Sequence, residues 1–389
     1  MTQADRWLLP DGIEEILPPQ AQRVEYLRRH LIDVLDNWGY DFVMPPALEY
    51  LESLLTGAGK NLDLRTFKVT DQLSGRMMGL SADATPQVAR IDAHSLAPEG
   101  VSRLCYCRTV FHTKAQSLLA SRTPTQIGAE LFGADNIEAD IEIISLMLHA
   151  LNAAEIQQIH LDIGHVGVFN ALVKEADLNA QQQAKLFELL KLKCRADIKK
   201  WAEENIQSED IKQALHLFVR QQGNVADLCD TFKSLATLIP TAAQAVQDVQ
   251  KVVEQINQRF PNVPVNIDLT ELRGYNYHSG LVFAAYIPGF GDAIAKGGRY
   301  NDTGAAFGRD RAATGFSADL KVLARFGEFG VNKKQTWLAP HDTDPALWAE
   351  VDKLRASGQR VITDLNGQTN QTVDGYLKQI NGQWQLVKA

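Results

Sequence analysis

Leu272-Arg273-Gly274-Tyr275-Asn276-Tyr277-His278-Ser279-Gly280-Leu281-Val282-Phe283 and, a little later, Ala295-Lys296-Gly297-Gly298-Arg299-Tyr300 gather the side chains best suited to hold a small polar ligand. A guanidinium beside a glycine can meet a ligand closely, because the glycine lets the backbone turn sharply or approach. From Tyr275 onward aromatic and polar residues alternate, the period of a strand with one buried face. Gly297-Gly298 reads as a turn that returns a second Arg-Tyr pair. Together the two segments would line one cavity with a fixed cation, phenol hydroxyls and an imidazole, which suits a carboxylate-bearing ligand. Taken alone, the first segment reads equally well as an arginine and tyrosines on a strand surface.

Both halves, in this order and with this gap, resemble the histidine-recognition signature of histidyl-tRNA synthetases, Arg-Gly-x-x-Tyr-Tyr followed by Gly-Gly-Arg-Tyr. His278 stands where those enzymes have a second tyrosine. Ser81-Ala82-Asp83-Ala84-Thr85 corresponds to their Arg-Pro-Glu-Gly-Thr segment, in which the acid receives the amino group of bound histidine and the threonine hydroxyl assists. The plainer reading is that Asp83 and Thr85 cap the helix after them. Gln126-Ile127-Gly128-Ala129-Glu130-Leu131-Phe132-Gly133 matches the end of motif 2, and the resemblance gives Gln126 and Glu130 contacts to the amino group and side chain of histidine.

The elements that must position these residues follow from periodicity. Val24, Leu27, Leu31, Val34 and Leu35 fall at helical spacing between Gln20 and Trp38, with Gly39 closing the helix. Tyr40 to Pro46 reads as a strand ending in a proline pair. This unit resembles motif 1 of class II synthetases, with Pro46 at the motif's proline, and implies a homodimer through that region. Strand-like runs at Phe67–Val69 and Arg76–Leu80 are joined by a Ser74-Gly75 turn, and Ile137 to Ala154 is an apolar-periodic helix. Gln158 to Gly164 alternates as a strand, and His160 and His165 read as local hydrogen-bonding groups. Residues 166–260 are Gln-, Ala- and Lys-rich with helical character, and Asn262 to Leu269 returns to a sheet. The expectation is an α+β fold. It has a class II synthetase-like antiparallel sheet flanked by helices (1–165 and 261–326), a helical insertion (166–260) and a small truncated C-terminal α/β domain (327–389).

Two departures bear on chemistry. Counting back from Gln126 places His112 where the motif 2 arginine holds carboxylate and α-phosphate in an active synthetase, and an imidazole neutral near pH 7 cannot replace a permanent fork. Gly315-Phe316-Ser317-Ala318-Asp319-Leu320-Lys321-Val322 matches motif 3, but its arginine position is Val322, with Lys321 about 100° round the helix. A missing cation at a developing phosphate charge costs orders of magnitude in rate. The tail after residue 326 is also shorter than the anticodon-binding domain the resemblance would demand.

Composition excludes little. Hydrophobic residues make up 45% and charged residues 22%, ordinary for a globular protein, and the net charge of −8 provides no global basic field for nucleic acid. Four cysteines, with Cys105 and Cys107 on one strand face, suit neither a disulfide framework nor a metal site. No apolar run reaches membrane-spanning length, and the start lacks a secretory pattern, so the expected location is the cytoplasm.

Two readings remain. One is a catalytic histidyl-tRNA synthetase-like enzyme that activates histidine with ATP. The other follows from a resemblance over nearly the whole length to the regulatory subunits of short-form ATP phosphoribosyltransferase, a paralogous family. It implies a non-catalytic subunit, needing no metal or cofactor, that joins a small catalytic subunit in a hetero-oligomer. It would activate that partner in the first step of histidine biosynthesis and mediate inhibition by histidine. On that reading histidine would be held by Asp83, Thr85, Gln126, Glu130, Arg273, Tyr277, His278 and Tyr300, with Arg273 on its carboxylate.

Overall fold

The computed structural model describes residues 7–57, 60–115, 117, 120–220, 222–223, 225–270, 277–301, 304–331, 334–365, 367 and 372–389. Arg273, Gly274 and Tyr275 lie outside the described residues. The chain divides into two compact units, one ending at Phe329 and one spanning Gly330–Ala389.

The first unit begins with α1 (Gln20–Asn37), which buries Leu27, Leu31 and Leu35, one residue per turn on a single face. Gly39, at φ +80°, lets the chain reverse after it. The strand expected over Tyr40 to Pro46 is only β1 (Asp41–Phe42), parallel to a later strand, and the prolines beyond it have no N–H to extend the ladder. Next come β2 (Leu48–Tyr50), α2 (Leu51–Leu55), α3 (Lys60–Arg65), β3 (Phe67–Thr70) and β4 (Met77–Leu80). Strands β2, β4 and β3 form a small antiparallel sheet. Helix α4 (Thr85–Arg90) runs on into a π-helical stretch, Ile91–Leu96.

Strands β5 (Ser102–Thr109) and β6 (Thr125–Phe132) make the long hairpin expected of motif 2. They are followed by α5 (Ile137–Ala153) and β7 (His160–His165). The predicted helical stretch contains α6 (Val166–Glu175), α7 (Ala180–Lys191), α8 (Arg195–Asn205) and α9 (Glu209–Arg220), then β8 (Gln222–Gly223), α10 (Val225–Leu238) and α11 (Ala243–Arg259). The chain re-enters the main sheet through β9 (Val265–Asp268), β10 (Leu281–Tyr286), β11 (Ala295–Arg299) and β12 (Ala313–Asp319), and leaves by α12 (Leu320–Phe326). The nine-stranded order is β1-β5-β6-β12-β11-β10-β7-β9-β8, antiparallel except for β1·β5 and β7·β9. The α+β expectation with an antiparallel core holds.

One face of the sheet receives α1, α5 and α12, with Ile127, Ala129, Leu131 and Phe316 on that side. The opposite face carries Tyr106, Gln126, Gly128, Glu130, Gly315 and Gly298, brought side by side by the register.

Two sequence expectations fail locally. Gly297 and Gly298 are not a turn but the middle of β11, where a Cβ would come within 2.0 Å of Gly315 O or 2.6 Å of Leu281 O. Strand β10 begins only at Leu281, so Tyr277, His278 and Ser279 lie ahead of it rather than in a strand.

The second unit contains β13 (Thr336–Ala339), α13 (Pro345–Ala356), β14 (Arg360–Thr363), β15 (Gly375–Ile380) and β16 (Gln383–Lys388). β13 and β14 are parallel, as a β-α-β unit requires, and β15 and β16 form an antiparallel hairpin. Trp337, Leu347, Val351, Val361 and Leu377 supply its core. Asp344 caps α13 through Ala346 N–H and also accepts from Trp384 Nε1 at 2.6 Å, which ties the hairpin to the helix start.

Candidate functional site

Glu130 is the centre of the site face. It projects from the middle of β6 with 1% of its surface exposed, and it accepts three hydroxyl bonds: Tyr300 at 2.5 Å, Thr85 at 2.9 Å and Tyr106 at 3.1 Å. Burial pushes its carboxyl up to about 8, against the pull of those hydroxyls in the other direction. Tyr106 and Tyr300 are themselves fully enclosed, and their phenols are held well above the usual range by burial.

Glycines make room for this cluster. A Cβ at Gly315, directly across the ladder from Glu130, would stand 1.6 Å from Glu130 Oε2, and one at Gly128 would stand 2.6 Å from the Tyr106 hydroxyl. Gly315→Ala is therefore expected to displace the carboxylate and cost about 3 kcal/mol of stability. A thermal melt of the variant within experimental error of the wild type would contradict this geometry.

Asp83 sits at the edge of the cluster. Its Oδ1 accepts from Gln126 Nε2 at 3.0 Å and from Thr85 N–H at 3.2 Å, while Gln126 Oε1 accepts from Ala84 N–H at 2.9 Å. The N-cap of α4 is Ala84, without a side-chain cap bond, so neither Asp83 nor Thr85 caps the helix as the plainer reading had it; Asp83 only accepts the first helical N–H, and the Thr85 hydroxyl turns to Glu130. Tyr277 stacks on Tyr300 with centroids 5.1 Å apart and rings 24° from parallel. His278 lies edge-on to Tyr277, and its Nδ1 is 3.3 Å from Arg299 O, which requires Nδ1 to be the donor. Burial lowers His278 to about 4, so it is a neutral ring near pH 7. Gly298 leaves the space that its imidazole occupies.

Of the predicted site residues, Asp83, Thr85, Gln126, Glu130, Tyr277, His278 and Tyr300 come together, and Arg273 lies outside the described residues. Arg299 is not a cation of the cavity. It points to the helix face, where Nη2 pairs with Asp140 at 2.7 Å and donates to Asn136 O at 2.9 Å. Sequence reasoning missed Tyr106, which alternation alone could have placed on the same strand face as Leu104. It also missed Arg65, which no sequence spacing connects to the hairpin.

At the motif 2 position His112 is 4% exposed, and burial together with the adjacent Arg65 guanidinium lowers it to about 4. Its Nε2 lies 2.9 Å from Ala82 O and 2.8 Å from Arg65 Nη2, with Nδ1 3.4 Å from the same Nη2. The two Nε2 contacts call for different tautomers: a bare Nε2 accepts from Arg65 Nη2, and a protonated Nε2 donates to Ala82 O. The expectation that this region had shed its fixed charge needs correction, because a guanidinium stands beside the residue that replaced the arginine. In motif 3, Val322 is uncharged, and Lys321 is committed to Glu14 at 3.3 Å. His165 accepts Gly167 N–H at 3.0 Å as a helix cap, the local role expected of it. Among the described residues no His, Cys, Asp or Glu cluster could hold a metal, and no helix is long and apolar enough to cross a membrane.

The histidyl-tRNA synthetase family model matches residues 12–323, and that of the ATP phosphoribosyltransferase subunit HisZ C-terminal domain matches 334–387. The ATP phosphoribosyltransferase regulatory subunit of Chromohalobacter salexigens is 48% identical over 99% of both chains, and that of Pseudomonas fluorescens is 47% identical over 99% of both. A solved ATP phosphoribosyltransferase regulatory subunit/histidyl-tRNA synthetase from Bacillus halodurans superposes with a TM-score of 0.82, at 27% identity over 95% of this chain and 96% of that one. The histidyl-tRNA synthetase of Nostoc, 20% identical with a TM-score of 0.78 over 96% and 91% of the two chains, shares the fold. With a synthetase-type sheet, a neutral residue at each motif arginine position and relatives matched from end to end, the chain belongs to the family of ATP phosphoribosyltransferase regulatory subunits.

Proposed function

We propose that this chain is the regulatory subunit of ATP phosphoribosyltransferase in histidine biosynthesis, a non-catalytic partner of the short catalytic subunit and the carrier of feedback inhibition by histidine. The observation that supports it most is the pairing of a polar nest around Glu130 and Asp83 with an uncharged Val322 at the motif 3 arginine position. The first suits an amino acid, and the second leaves that position without a cation for a triphosphate.

In this reading Asp83, Thr85 and Gln126 receive the ammonium of histidine. Glu130, Tyr277 and Tyr300 surround its imidazole, whose two nitrogens need a donor and an acceptor. A carboxyl held up to about 8 can serve as either near neutral pH, by giving or taking one proton. His278 closes the floor, and Arg273 is a candidate for the carboxylate. Two copies would pair through the region of Pro46 within a hetero-oligomer. Inhibition requires histidine to bind the active and inhibited assemblies unequally, with a coupling of ~1–3 kcal/mol.

Asp83→Ala is expected to raise the histidine concentration needed to inhibit phosphoribosyl-ATP formation by about 10- to 100-fold, while activation of the catalytic subunit persists. Inhibition of the variant at wild-type concentrations would sink the site assignment. Histidine-dependent ATP–pyrophosphate exchange by the purified chain at synthetase-like rates would instead favour an enzyme that activates histidine.

A further inference from the structure

The motif 2 arginine has become His112, yet a guanidinium still stands at that spot, delivered by a different element. Arg65 closes α3, and backbone contacts lock it to the hairpin: Thr113 N–H donates to Arg65 O at 3.0 Å and Thr113 Oγ1 to Leu64 O at 2.7 Å. The guanidinium reaches His112, and His112 reaches Ala82 O, the carbonyl of the residue that precedes Asp83. A fixed cation and the Asp83 carboxylate are therefore tethered to either side of a single peptide unit.

That juxtaposition has a chemical meaning. An α-amino acid carries its ammonium and its carboxylate on one carbon, so its site needs an anion and a cation side by side. Arg65 stays charged at any physiological pH, even though burial lowers its pKa. The neutral imidazole beside it accepts a bond without repelling it, which fixes where the guanidinium lies. Lys296 projects from the same sheet face at mid-β11, but it is exposed and has no such support.

We propose that Arg65 takes the α-carboxylate of the bound amino acid, supplying from α3 the charge that the motif 2 hairpin gave up at residue 112. The proposal rests on the amino-acid reading of the site given above. It assigns the carboxylate to Arg65 in place of Arg273.

The test is calorimetric titration of the assembled complex with histidine and with histidinol, which has a hydroxymethyl group where histidine has its carboxylate. Arg65→Gln is expected to weaken histidine by about 10- to 100-fold and to leave histidinol within about twofold. The double variant Arg65→Gln/His112→Arg, which restores a guanidinium by the other route, is expected to recover most of the loss. Arg65→Lys keeps the charge without the fork, and should show an intermediate loss confined to histidine if the glutamine variant does not fold. Equal weakening of both ligands would mean a structural role and overturn the proposal. Unchanged histidine affinity would overturn it too and return the contact to Arg273. A wild-type complex that binds neither ligand would sink the amino-acid reading itself, and this assignment with it.

Discussion

Arg299→Met is expected to destabilise the larger unit by about 3–5 kcal/mol, the range for removing one member of a buried ion pair. The guanidinium is 8% exposed and its partner Asp140 is 1% exposed, at an Nη2–Oδ2 distance of 2.7 Å. The same group donates to Ala134 O and Asn136 O, carbonyls just before α5, so its loss also frees the entry to that helix. Methionine fills much of the volume but leaves Asp140 as an uncompensated buried carboxylate. Burial already raises the Asp140 pKa despite Arg299, and without Arg299 it would rise further, so the deficit should grow as pH rises. Urea denaturation of Arg299→Met and of Arg299→Met/Asp140→Leu measures this. The double variant should recover much of the loss, and a double variant as unstable as the single would show that the helix-entry carbonyls dominate.

Glu130→Ala is the second large effect. It removes the acceptor for Tyr106, Tyr300 and Thr85 at once, two of them fully enclosed phenols, and is expected to cost about 3–5 kcal/mol and to abolish histidine binding. Glu130→Gln keeps the shape and should cost less. It also isolates a pH effect whose sign is fixed. A carboxyl that ordinarily titrates at 4.5 and is held at about 8 in the fold keeps its proton when the unfolded chain has lost it. Its contribution is therefore intact below 4.5 and lost progressively as pH rises towards 8. The wild type should lose stability relative to Glu130→Gln across that window and no further above it. Parallel stability curves for the two proteins between pH 5 and 8 would show that Glu130 ionises normally.

Gly315 and Glu130 make the same point from opposite strands. A glycine in mid-strand weakens a sheet unless something must pass close to it, and here that something is the carboxylate of the neighbouring strand. Arg299 and Tyr300, adjacent in sequence, are separated by the sheet: one steadies α5 and the other bonds Glu130 on the opposite face. The strand period of two decides this division of labour, because consecutive side chains leave a strand on opposite faces.

The sequence by itself determined the alternation of β5 and β6, the amphipathic α1, the helical block and the strand-to-helix step of motif 3. Each depends on contacts between residues near in the chain, and each leaves a period that can be read. The resemblance over short motifs also named Asp83, Thr85, Gln126, Glu130 and Tyr300, which the fold brings into one cluster. Only the tertiary structure decided that Gly297-Gly298 is strand rather than turn, since the reason is a neighbouring carbonyl from β12. It alone brought Tyr106 to Glu130, and set Arg65, 47 residues away in the chain, against His112. Side chains that meet across sheets and helices leave no periodic trace in the sequence, because their proximity is created by the packing of elements and not by the spacing within any one of them.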